Sequence, residues 1–410
     1  MNVHILGLAF CLSTALSAQD ITNYTQADGL LDNTINCVSV DDEGRVWLGT
    51  NSGVSMFDGA EWISFTMDSH PGLIDNSIRA IFASNSGVWV GTDYGVSVYN
   101  GSYWTSFTEE DGLGDNRINH INQSDNGAIW FGEKDGISIY DPMVFGDAWI
   151  SYSTSDGLPF GGINYINFDA SGDAWLASSI FGLIHFDGLN FITYNTDSGL
   201  ISNNVRSIAI DANGNKWIRT AQGITVFDIE NTFDVQHSIM LLLPPPDELN
   251  PVVDVKIDSN GNVWAGIYVD YLVTVGGVAY WDGDSWTGLN ESVLVGPVVR
   301  SLDIDSENNI WVATSTGLSK ISTSEISLPD FSDDFECHLY PNPGISELFL
   351  DSNKEIETLI MTNIQGKQVY VPKENTDSGI RLDVSLLDQG FYILDMHTEN
   401  LNLRRKVLIH

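Results

Sequence analysis

Residues 28–66 read DGLLDNTINCVSVDDEGRVWLGTNSGVSMFDGAEWISFT and contain four short runs rich in β-branched and aromatic residues. The runs are Ile35–Asp41, Val46–Thr50, Gly53–Gly59 and Trp62–Thr66. Runs of this length, bounded by Gly, Asn, Asp and Ser, are typical of strands joined by tight antiparallel turns. The segment therefore predicts a four-stranded antiparallel sheet.

Seven copies of this pattern follow one another along the chain. Each has a Trp in its second run, and successive Trp residues lie 41 to 47 residues apart: Trp47, Trp89, Trp130, Trp175, Trp217, Trp264 and Trp311. A period in the forties is typical of propellers and solenoids. Because no long segment with helical periodicity interrupts the runs, we expect each repeat to be one blade packed face to face on its neighbours.

The last repeat ends after Gly317–Ile321 without a convincing fourth strand. The run Ile21–Thr25 precedes the first repeat and resembles outer strands such as Trp104–Thr108. A strand supplied from the N-terminus would complete the last blade and remove exposed sheet edges. We therefore predict an all-β chain with a seven-bladed β-propeller over residues 20–323, closed by an N-terminal outer strand.

The N-terminus predicts export. The apolar stretch Ile5–Leu16 is followed by the small residues Ser17 and Ala18, so we interpret residues 1–18 as a signal peptide. A bilayer span takes roughly 20 apolar residues, and no later segment is long and apolar enough, so no transmembrane segment is expected. The mature chain keeps Cys37 and Cys337, which we expect to be free thiols, although the sequence leaves a bond between them open.

Composition excludes two classes of protein. There are 55 Asp and Glu residues against 17 Lys and Arg, which gives a net charge of −38, and only ten of the basic residues precede residue 333. Nucleic-acid binding needs a dense basic surface, so no nucleic-acid partner is expected. Since 43% of the residues are hydrophobic and 11% aromatic, the chain can bury large cores, which excludes intrinsic disorder.

The repeated text G-L-x-x-N, D-x-x-G-x-x-W-x-[GA]-T and G-[VIL] resembles the two-component regulator propeller repeat of periplasmic hybrid histidine kinase sensors. Some repeats depart from it: Gly161-Gly162 replace Asp-Asn in the fourth, Arg219 replaces the Gly before Thr220 in the fifth, and the sixth lacks the G-L-x-x-N opening. The resemblance implies a propeller that senses glycan fragments. We find no counterpart of those sensors' membrane span, kinase or receiver, so signalling within one chain is not expected.

Residues 337–410 are predicted to form a second unit, after a polar, acidic linker over residues 324–336. Several short alternating runs predict a small immunoglobulin-like β-sandwich. The segment resembles the type A sorting domain of the type IX secretion system, which implies a Bacteroidota-type cell, the secretion machinery as partner, and export across the outer membrane to the medium or the cell surface. The residues that carry this resemblance are Tyr340, Pro341, Asn342, Pro343, Gly366, Gly390, Tyr392, Arg404, Arg405 and Lys406.

Enzyme signatures are absent from the sequence. It contains no G-x-S-x-G elbow, no phosphate-binding Gly-Lys-Ser/Thr loop and no H-E-x-x-H motif, and its eight His residues do not occur at metal-ligand spacing. No catalytic residue, cofactor or metal is therefore predicted. The segments Asp211–Asn215 and Asp258–Asn262 resemble the start of a calcium loop, but a tight turn demands the same residues and no Glu follows at the twelfth position.

Candidate binding residues come from two sets of loops that propeller geometry places on one face: those entering the inner strands and those between the second and third strands. Arg79, Arg206 and Arg300 share one position near the start of the inner strand, where guanidinium groups could bind a uronate carboxylate or a sulfate. Pairing of these Arg residues with acids of neighbouring blades is the expectation we favour. The other candidates are Asn33, Asn76, Asn116, Asn204, Tyr94, Phe160, Phe181, Tyr268 and Tyr271.

The sequence thus predicts a secreted or surface-displayed, non-catalytic protein that binds glycan or another extracellular ligand on one propeller face. Two alternatives stay open. Paired acids in the channel would make a polysaccharide-cleaving lyase or hydrolase, and a broad acidic surface would suit an adhesion or protein-interaction scaffold. A cluster of His, Tyr and acidic residues at the channel would favour the enzyme.

Overall fold

The computed structural model describes residues 21–141, 148–220, 223–228, 233–237, 252–267, 276–281, 283, 286–290, 294–323, 337–340, 346–352, 356, 358–363, 368–376, 379–387, 389–397 and 402–409. The chain divides into two compact units, Met1–Ile326 and Ser327–His410. The signal peptide and the linker that the sequence predicts lie outside the described residues.

The first unit consists of four-stranded antiparallel sheets that resemble propeller blades, and seven are found among the described residues. In the first six, four consecutive strands lie side by side in chain order, and we name them inner, second, third and outer. Their bounds, sheet by sheet, are Ile35–Val40, Val46–Thr50, Val54–Phe57 and Trp62–Phe65; Ala80–Ser84, Gly87–Gly91, Val96–Tyr99 and Trp104–Phe107; Ile118–Gln123, Ile129–Glu133, Ile137–Tyr140 and Trp149–Tyr152; Ile163–Phe168, Ala174–Ser178, Gly182–Phe186 and Phe191–Tyr194; Val205–Ile210, Lys216–Thr220, Gly223–Phe227 and Phe233–His237; Val252–Ile257, Val263–Ile267, Gly277–Trp281 and Trp286–Asn290.

The seventh sheet is completed from the other end of the unit. Its first three strands are Val299–Ile304, Ile310–Thr314 and Leu318–Ile321. Its outer strand is Ile21–Tyr24, which lies antiparallel to the third, with Ile21 opposite Ile321 and Tyr24 opposite Leu318. This is the strand that the sequence predicted would complete the last repeat.

Apolar side chains hold neighbouring sheets together. Seven buried clusters in the described part of this unit each combine residues of two consecutive sheets. One of them joins Leu48 of the first sheet to Trp311 and Ala313 of the seventh. Because both faces of each sheet are covered in this way, the inner strands line a common axis.

The repeated Trp residues belong to this core. Six of the seven are buried, at 2% to 8% exposure, and Trp130 is half-buried. The indole Nε1 of Trp47 donates to Asp41 Oδ2 over 2.9 Å, and the corresponding Trp–Asp bond recurs in the fourth to seventh sheets. The same Asp closes the hairpin between the inner and second strands, since Asp211 Oδ1 accepts from the amides of Asn213 and Asn215. The calcium-like segments are thus tight turns whose carboxylates serve the fold.

The second unit contains two four-stranded antiparallel sheets around a shared core. Leu348, Leu350 and Leu382 of one sheet and Met361, Leu394 and Val407 of the other belong to that core. The first sheet comprises Cys337–Tyr340, Glu347–Ser352, Gly379–Asp383 and Lys373–Thr376, and the second Gln368–Val369, Thr358–Asn363, Gly390–His397 and Asn402–Ile409.

Among the described residues, no helix has the length and apolar character needed to cross a membrane. The helices present there are four single-turn 3-10 helices in the loops that enter inner strands: Gln26–Asp28, Glu109–Asp111, Thr154–Asp156 and Thr196–Ser198.

Candidate functional site

Two sets of loops share one end of the sheets. Since the four strands alternate in direction, the loops that enter the inner strands and those that join second to third strands emerge together. We name this end the upper face, and the end that carries the other hairpin turns the lower face. The ten candidate ligand-binding residues that the structure describes lie in, or next to, these two sets of loops.

The Asn candidates of the upper face shape its loops. Each 3-10 helix begins at a Thr, Ser or Asn cap and ends at a left-handed Gly, as at Thr25 and Gly29. The side-chain oxygen of an Asn further along the loop then accepts an amide hydrogen from the first residue of the turn. These bonds are Asn33 Oδ1 to Gln26 N (2.7 Å) and Asn116 Oδ1 to Glu109 N (2.9 Å). Asn76 Oδ1 likewise accepts from Met67 N over 2.8 Å.

The fifth repeat corrects one of these assignments. The residue that accepts from Thr196 N, over 2.8 Å, is Asn203. Asn204, which the sequence singled out, lies one position later, and its Oδ1 accepts from Arg206 Nε over 3.0 Å. The doubled Asn made the two positions hard to distinguish by spacing alone.

At the upper end of each inner strand, a fully buried aliphatic residue (Ile35, Ile78, Ile118, Ile163, Val205, Val252 or Val299) is followed by a residue at the same position of every repeat. We name these seven residues the upper ring: Asn36, Arg79, Asn119, Asn164, Arg206, Val253 and Arg300. The first four donate to the backbone of the next sheet, through Asn36 Nδ2 to Ile78 O (2.9 Å), Arg79 Nε to Ile118 O (3.1 Å), Asn119 Nδ2 to Ile163 O (3.2 Å) and Asn164 Nδ2 to Val205 O (3.4 Å). The upper ring therefore ties successive sheets together around the channel.

The three ring Arg residues have different environments. Arg79 lies 3.5 Å from Asp93, an acid of its own sheet's upper loop, and Arg117 lies 3.4 Å from the same carboxylate. Arg300 donates to Asn36 Oδ1 over 2.8 Å and so joins the seventh sheet to the first. Arg206 is exposed and bonds only within its own loop among the described residues. Neither Arg206 nor Arg300 has a described carboxylate within 4.0 Å.

Exposed aromatic side chains lie on the same face. Tyr94 is 65% exposed and Phe160 is 67% exposed, whereas Phe181 is half-buried and its amide donates to Ser178 Oγ over 3.3 Å. Flat aromatic faces left in solvent are suited to stacking on sugar rings. Tyr268 and Tyr271 lie outside the described residues.

A polar cluster that the sequence analysis missed lies inside the channel. It comprises His120, Tyr165, Asp254, Lys256 and Asp303, at positions two and four residues after the first buried residue of their inner strands. Lys256 Nζ lies 3.5 Å from Asp303 Oδ1 and 5.8 Å from the centroid of the Tyr165 ring. The His120 and Tyr165 ring centroids are 3.9 Å apart. The signal available in the sequence was a charged or bulky side chain at positions where other repeats carry small residues such as Ala80, Ser207 and Ala209.

The members of this cluster are largely occupied by each other and by the backbone. Asp254 Oδ1 accepts from Ser207 Oγ (2.8 Å), and its Oδ2 accepts from Leu302 N (3.0 Å). Asp303 Oδ2 accepts from Val40 N over 2.7 Å, and His120 Nδ1 accepts from Ile166 N over 3.2 Å.

Burial sets the protonation of the cluster. Burial, together with the Lys256 charge, lowers the pKa of His120 to about 3, so this imidazole is neutral at physiological pH. Burial alone would lower the pKa of Lys256, but Tyr165, Asp303 and Asp254 raise it well above its usual value. Burial raises the pKa of Tyr165 and of Asp303, and Lys256 opposes both shifts. The arrangement supplies a fixed ammonium among acids in a confined channel.

A second group brings together possible metal ligands on the lower face. One ligand atom each of Asp169, Asp173 and His185 lies within 4.8 Å of the others. His185 Nε2 is 2.9 Å from Asp173 Oδ2, and Asp169 Oδ2 accepts from Trp175 Nε1 over 2.8 Å. The sequence search for spaced His residues missed this trio because it contains a single His. The donor set suits a divalent cation.

Cys37 is a buried free thiol, and burial raises its pKa to about 12. Its environment is that of a small apolar core residue. Of the sorting motif residues, Tyr340, Gly390, Tyr392, Arg404, Arg405 and Lys406 lie in strands, whereas Pro341, Asn342, Pro343 and Gly366 lie outside the described residues.

Comparison with known proteins gives two family matches. Residues 338–410 match the family described as secretion system C-terminal sorting domain, and residues 29–52 match the two component regulator propeller. No curated protein matches the chain significantly.

Solved structures share the fold at low sequence identity. The extracellular domain of BT3049, described as a hybrid two component system of B. thetaiotaomicron, has a TM-score of 0.60 and 19% identity, covering 95% of this chain and 54% of that one. PorZ, a surface component of the type IX secretion system of Porphyromonas gingivalis, has a TM-score of 0.55 and 16% identity, with coverage of 93% and 60%. Virginiamycin B lyase from Staphylococcus aureus has a TM-score of 0.57 and 12% identity, with coverage of 73% and 98%.

These matches bear on the fold and on export. The chain spans little more than half the length of the first of these structures, and the identities are low enough that the likeness concerns architecture alone. The tail match covers a whole segment of the chain and carries a defined role in export across the outer membrane to the cell surface or the extracellular space. The chain therefore combines a segment that matches the two component regulator propeller, at residues 29–52, with a C-terminal secretion system sorting domain at residues 338–410.

Proposed function

We propose that this protein is a non-catalytic binding protein of the cell surface or the extracellular medium that holds a glycan on the upper face of its first unit. The observation that carries the proposal is the concentration of exposed basic and aromatic side chains on that face. Arg206 and Arg300 lie at the upper ends of their inner strands, and Tyr94 and Phe160 lie in loops of the same face. In a chain of net charge −38, two exposed guanidinium groups without a described carboxylate within 4.0 Å make this face suited to an anionic or hydroxyl-rich ligand.

The proposal includes the architecture that presents this face. The seven described sheets would form one closed seven-bladed propeller over residues 20–323, which the seven inter-sheet clusters and the Arg300–Asn36 bond support. Residues 337–410 would form an immunoglobulin-like sandwich, after a signal peptide over residues 1–18 and a linker over residues 324–336. A closed ring keeps the upper loops in fixed positions, as a preorganised binding surface requires.

A ligand screen tests the proposal. The mature chain is incubated with neutral, uronate-containing and sulfated polysaccharides, and both the melting temperature and the appearance of new chain ends are followed. Stabilisation without cleavage is expected, because a ligand that binds only the folded state raises its apparent stability. Replacing Tyr94 and Phe160 together by Ala should reduce the stabilisation. The matched control is Tyr103→Ala, since Tyr103 is 62% exposed but lies in a hairpin of the lower face.

The channel cluster supports a second candidate function. His120, Tyr165, Asp254, Lys256 and Asp303 bring together side-chain types that polysaccharide lyases and hydrolases need. If the screen shows cleavage, and if Tyr165→Phe or Lys256→Met abolishes it, the protein is an enzyme and not a non-catalytic binding protein. If no glycan stabilises the protein and none is cleaved, an adhesion or protein-interaction scaffold is favoured instead.

A further inference from the structure

The fifth sheet departs from the other six at one position facing its neighbour. The residue two positions after the repeated Trp of the second strand is Gly or Ala in six sheets: Gly49, Gly91, Gly132, Ala177, Gly266 and Ala313. This position lies against the first buried residue of the next inner strand, since a Cβ on Gly49 would be 2.6 Å from Ile78 Cγ2 and one on Gly91 would be 2.4 Å from Ile118 Cγ2. In the fifth sheet the position holds Arg219, whose side chain is directed at the sixth sheet.

Arg219 makes the bond that an upper-ring residue makes elsewhere. Its Nε donates to the carbonyl of Val252, the first buried residue of the sixth inner strand. Asn36, Arg79, Asn119 and Asn164 bind the equivalent carbonyls from the upper ring. With the Val252 carbonyl already bonded to Arg219, Arg206 has no inter-sheet acceptor among the described residues. Its guanidinium instead stands exposed at the channel mouth, held by Asn204 within its own loop.

The seam between the fifth and sixth sheets therefore carries two guanidinium groups. Arg219 is nine-tenths buried, and its Nη1 has no hydrogen-bond partner among the described residues. Burial, reinforced by the charge of Arg206, lowers the pKa of Arg219 to about 10, while Asp254 beneath it acts in the opposite direction. Arg219 therefore stays charged at neutral pH, and neither Arg206 nor Arg219 has a described carboxylate within 4.0 Å. The next ring residue, Val253, is apolar and adds no competing donor.

We propose that this seam is an anion subsite that takes the carboxylate of a uronate or the sulfate ester of a sugar. The inference rests on the proposed glycan-binding function and names the group of the ligand that the upper face recognises. Arg206 would contact the oxyanion through its planar fork of donors, which fits carboxylate and sulfate oxygens in pairs. Arg219 would act as a positioning residue, because it keeps the Val252 carbonyl occupied and adds positive charge beneath Arg206.

Substitutions separate these roles. Arg206→Gln removes the contact residue, and Arg219→Ala installs the residue that the fourth and seventh sheets carry at this position. In Arg219→Ala the Val252 carbonyl is free to recapture Arg206, as Ile118 captures Arg79, so affinity should fall, but no further than in Arg206→Gln. If Arg219 acts through Arg206, the double variant should bind no more weakly than Arg206→Gln alone. Lys134→Gln is the matched control, since it removes one exposed charge from the same face outside the seam.

The mature full-length chain is titrated with a uronate oligosaccharide, a sulfated oligosaccharide and a neutral oligosaccharide of equal length, and also with inorganic sulfate and glucuronate. We expect a loss of about tenfold or more in affinity for charged oligosaccharides in Arg206→Gln, no change for the neutral one, and no comparable loss in Lys134→Gln. The two charged arms show which oxyanion the seam prefers. Because Arg206 is exposed, the Arg206→Gln variant should fold as the wild type does.

Failure of this inference can be told from failure of the proposed function. If glycans bind with the same affinity in Arg206→Gln as in the wild type, the anion subsite is wrong, whereas the proposed glycan-binding function still holds. If sulfate or glucuronate stabilises the protein in a way that depends on Arg206, but no oligosaccharide binds, the anion subsite is supported and the proposed glycan-binding function is wrong. If no anion stabilises the wild type more than it stabilises Arg206→Gln, the subsite does not exist.

Discussion

At the scale of single residues, informative positions are those where one repeat departs from its siblings. In five sheets the Asp that closes the first hairpin has its Oδ2 bonded by the Trp indole, and in four of these a donor four residues on, such as Asn215 or Asn262, bonds the same oxygen. In the fourth sheet that position holds Asp173, which cannot donate, and its carboxylate lies within 4.8 Å of the Asp169 carboxylate. Two like charges therefore meet where the fold normally places a hydrogen bond.

Asp173→Asn should stabilise the protein. The variant carries the residue of the fifth, sixth and seventh hairpins, so an amide donor replaces a repulsive carboxylate, for a gain of about 1 kcal/mol at pH 7. Urea unfolding of the wild type and the variant at pH 7 measures the gain. A wild type stabilised by a divalent cation, together with a variant that is not, would instead assign the trio to a metal.

Glu133 is a second departure, at a position where the first, second, fifth and seventh sheets have Thr. The side chain is 1% exposed, and its Oε1 has no partner among the described residues. Burial raises the pKa of the Glu133 carboxyl to about 8 from its ordinary value of 4.5. Between these two values the folded protein keeps a proton that the unfolded chain has lost. Stability must therefore fall as pH rises through this window.

Glu133→Thr should remove that pH dependence. The stability difference between the variant and the wild type should grow in favour of Thr by about 2–4 kcal/mol from pH 4.5 to pH 8, and then level off. Paired urea unfolding at pH 4.5, 6 and 8 measures it, and Glu133→Gln controls for side-chain size. A difference that stays constant with pH would mean that the carboxyl titrates normally in the fold.

At the scale of the elements, the strands and their pairing were largely predictable, because alternating apolar runs and Gly- or Asn-rich turns specify hairpins directly. The 3-10 helices were not, since three residues are too few to show helical periodicity. Their capping residues, such as Thr25 and Asp28, indicated only the start of a loop in the sequence. The ring Arg residues shared one position in the sequence, yet Arg79 bonds a carbonyl of the next sheet, whereas Arg206 has no such acceptor among the described residues. By our proposal, that difference depends on Arg219, thirteen residues further along the chain and on a different strand.

The Ile21–Tyr24 strand offers an element-scale prediction. The Tyr24 ring centroid lies 5.3 Å from that of Phe57 and 5.7 Å from that of Trp62, both in the first sheet, although its own strand belongs to the seventh. Tyr24→Ala should therefore weaken the contact between the last and first sheets and lower the free energy of unfolding by about 2 kcal/mol. Ile63→Ala, on an exposed outer strand, should change it by less than about 0.5 kcal/mol. Equal losses in the two variants would show that Tyr24 does not join the sheets.

At the scale of the whole molecule, the export signal and the proposed binding face belong to different units. The hydrophobic clusters of the first unit and the core of the second share no residue among those described. The tail match assigns export to residues 338–410, and every ligand-binding candidate lies in the first unit. Separate cores predict separate unfolding transitions, because cooperativity follows shared packing.

Removal of residues 327–410 should therefore leave the first unit intact while it abolishes export. In calorimetry the transition of the first unit should shift by less than about 2 °C, which corresponds to under about 1 kcal/mol for a unit of this size. Binding of charged oligosaccharides by the truncated chain should match that of the full chain. In cells that possess the secretion machinery, the truncated chain should accumulate inside the outer membrane while the full chain reaches the surface. A drop of many degrees in the first transition would show that the tail also stabilises the binding unit, so that loss of the tail after export would change ligand binding as well as location.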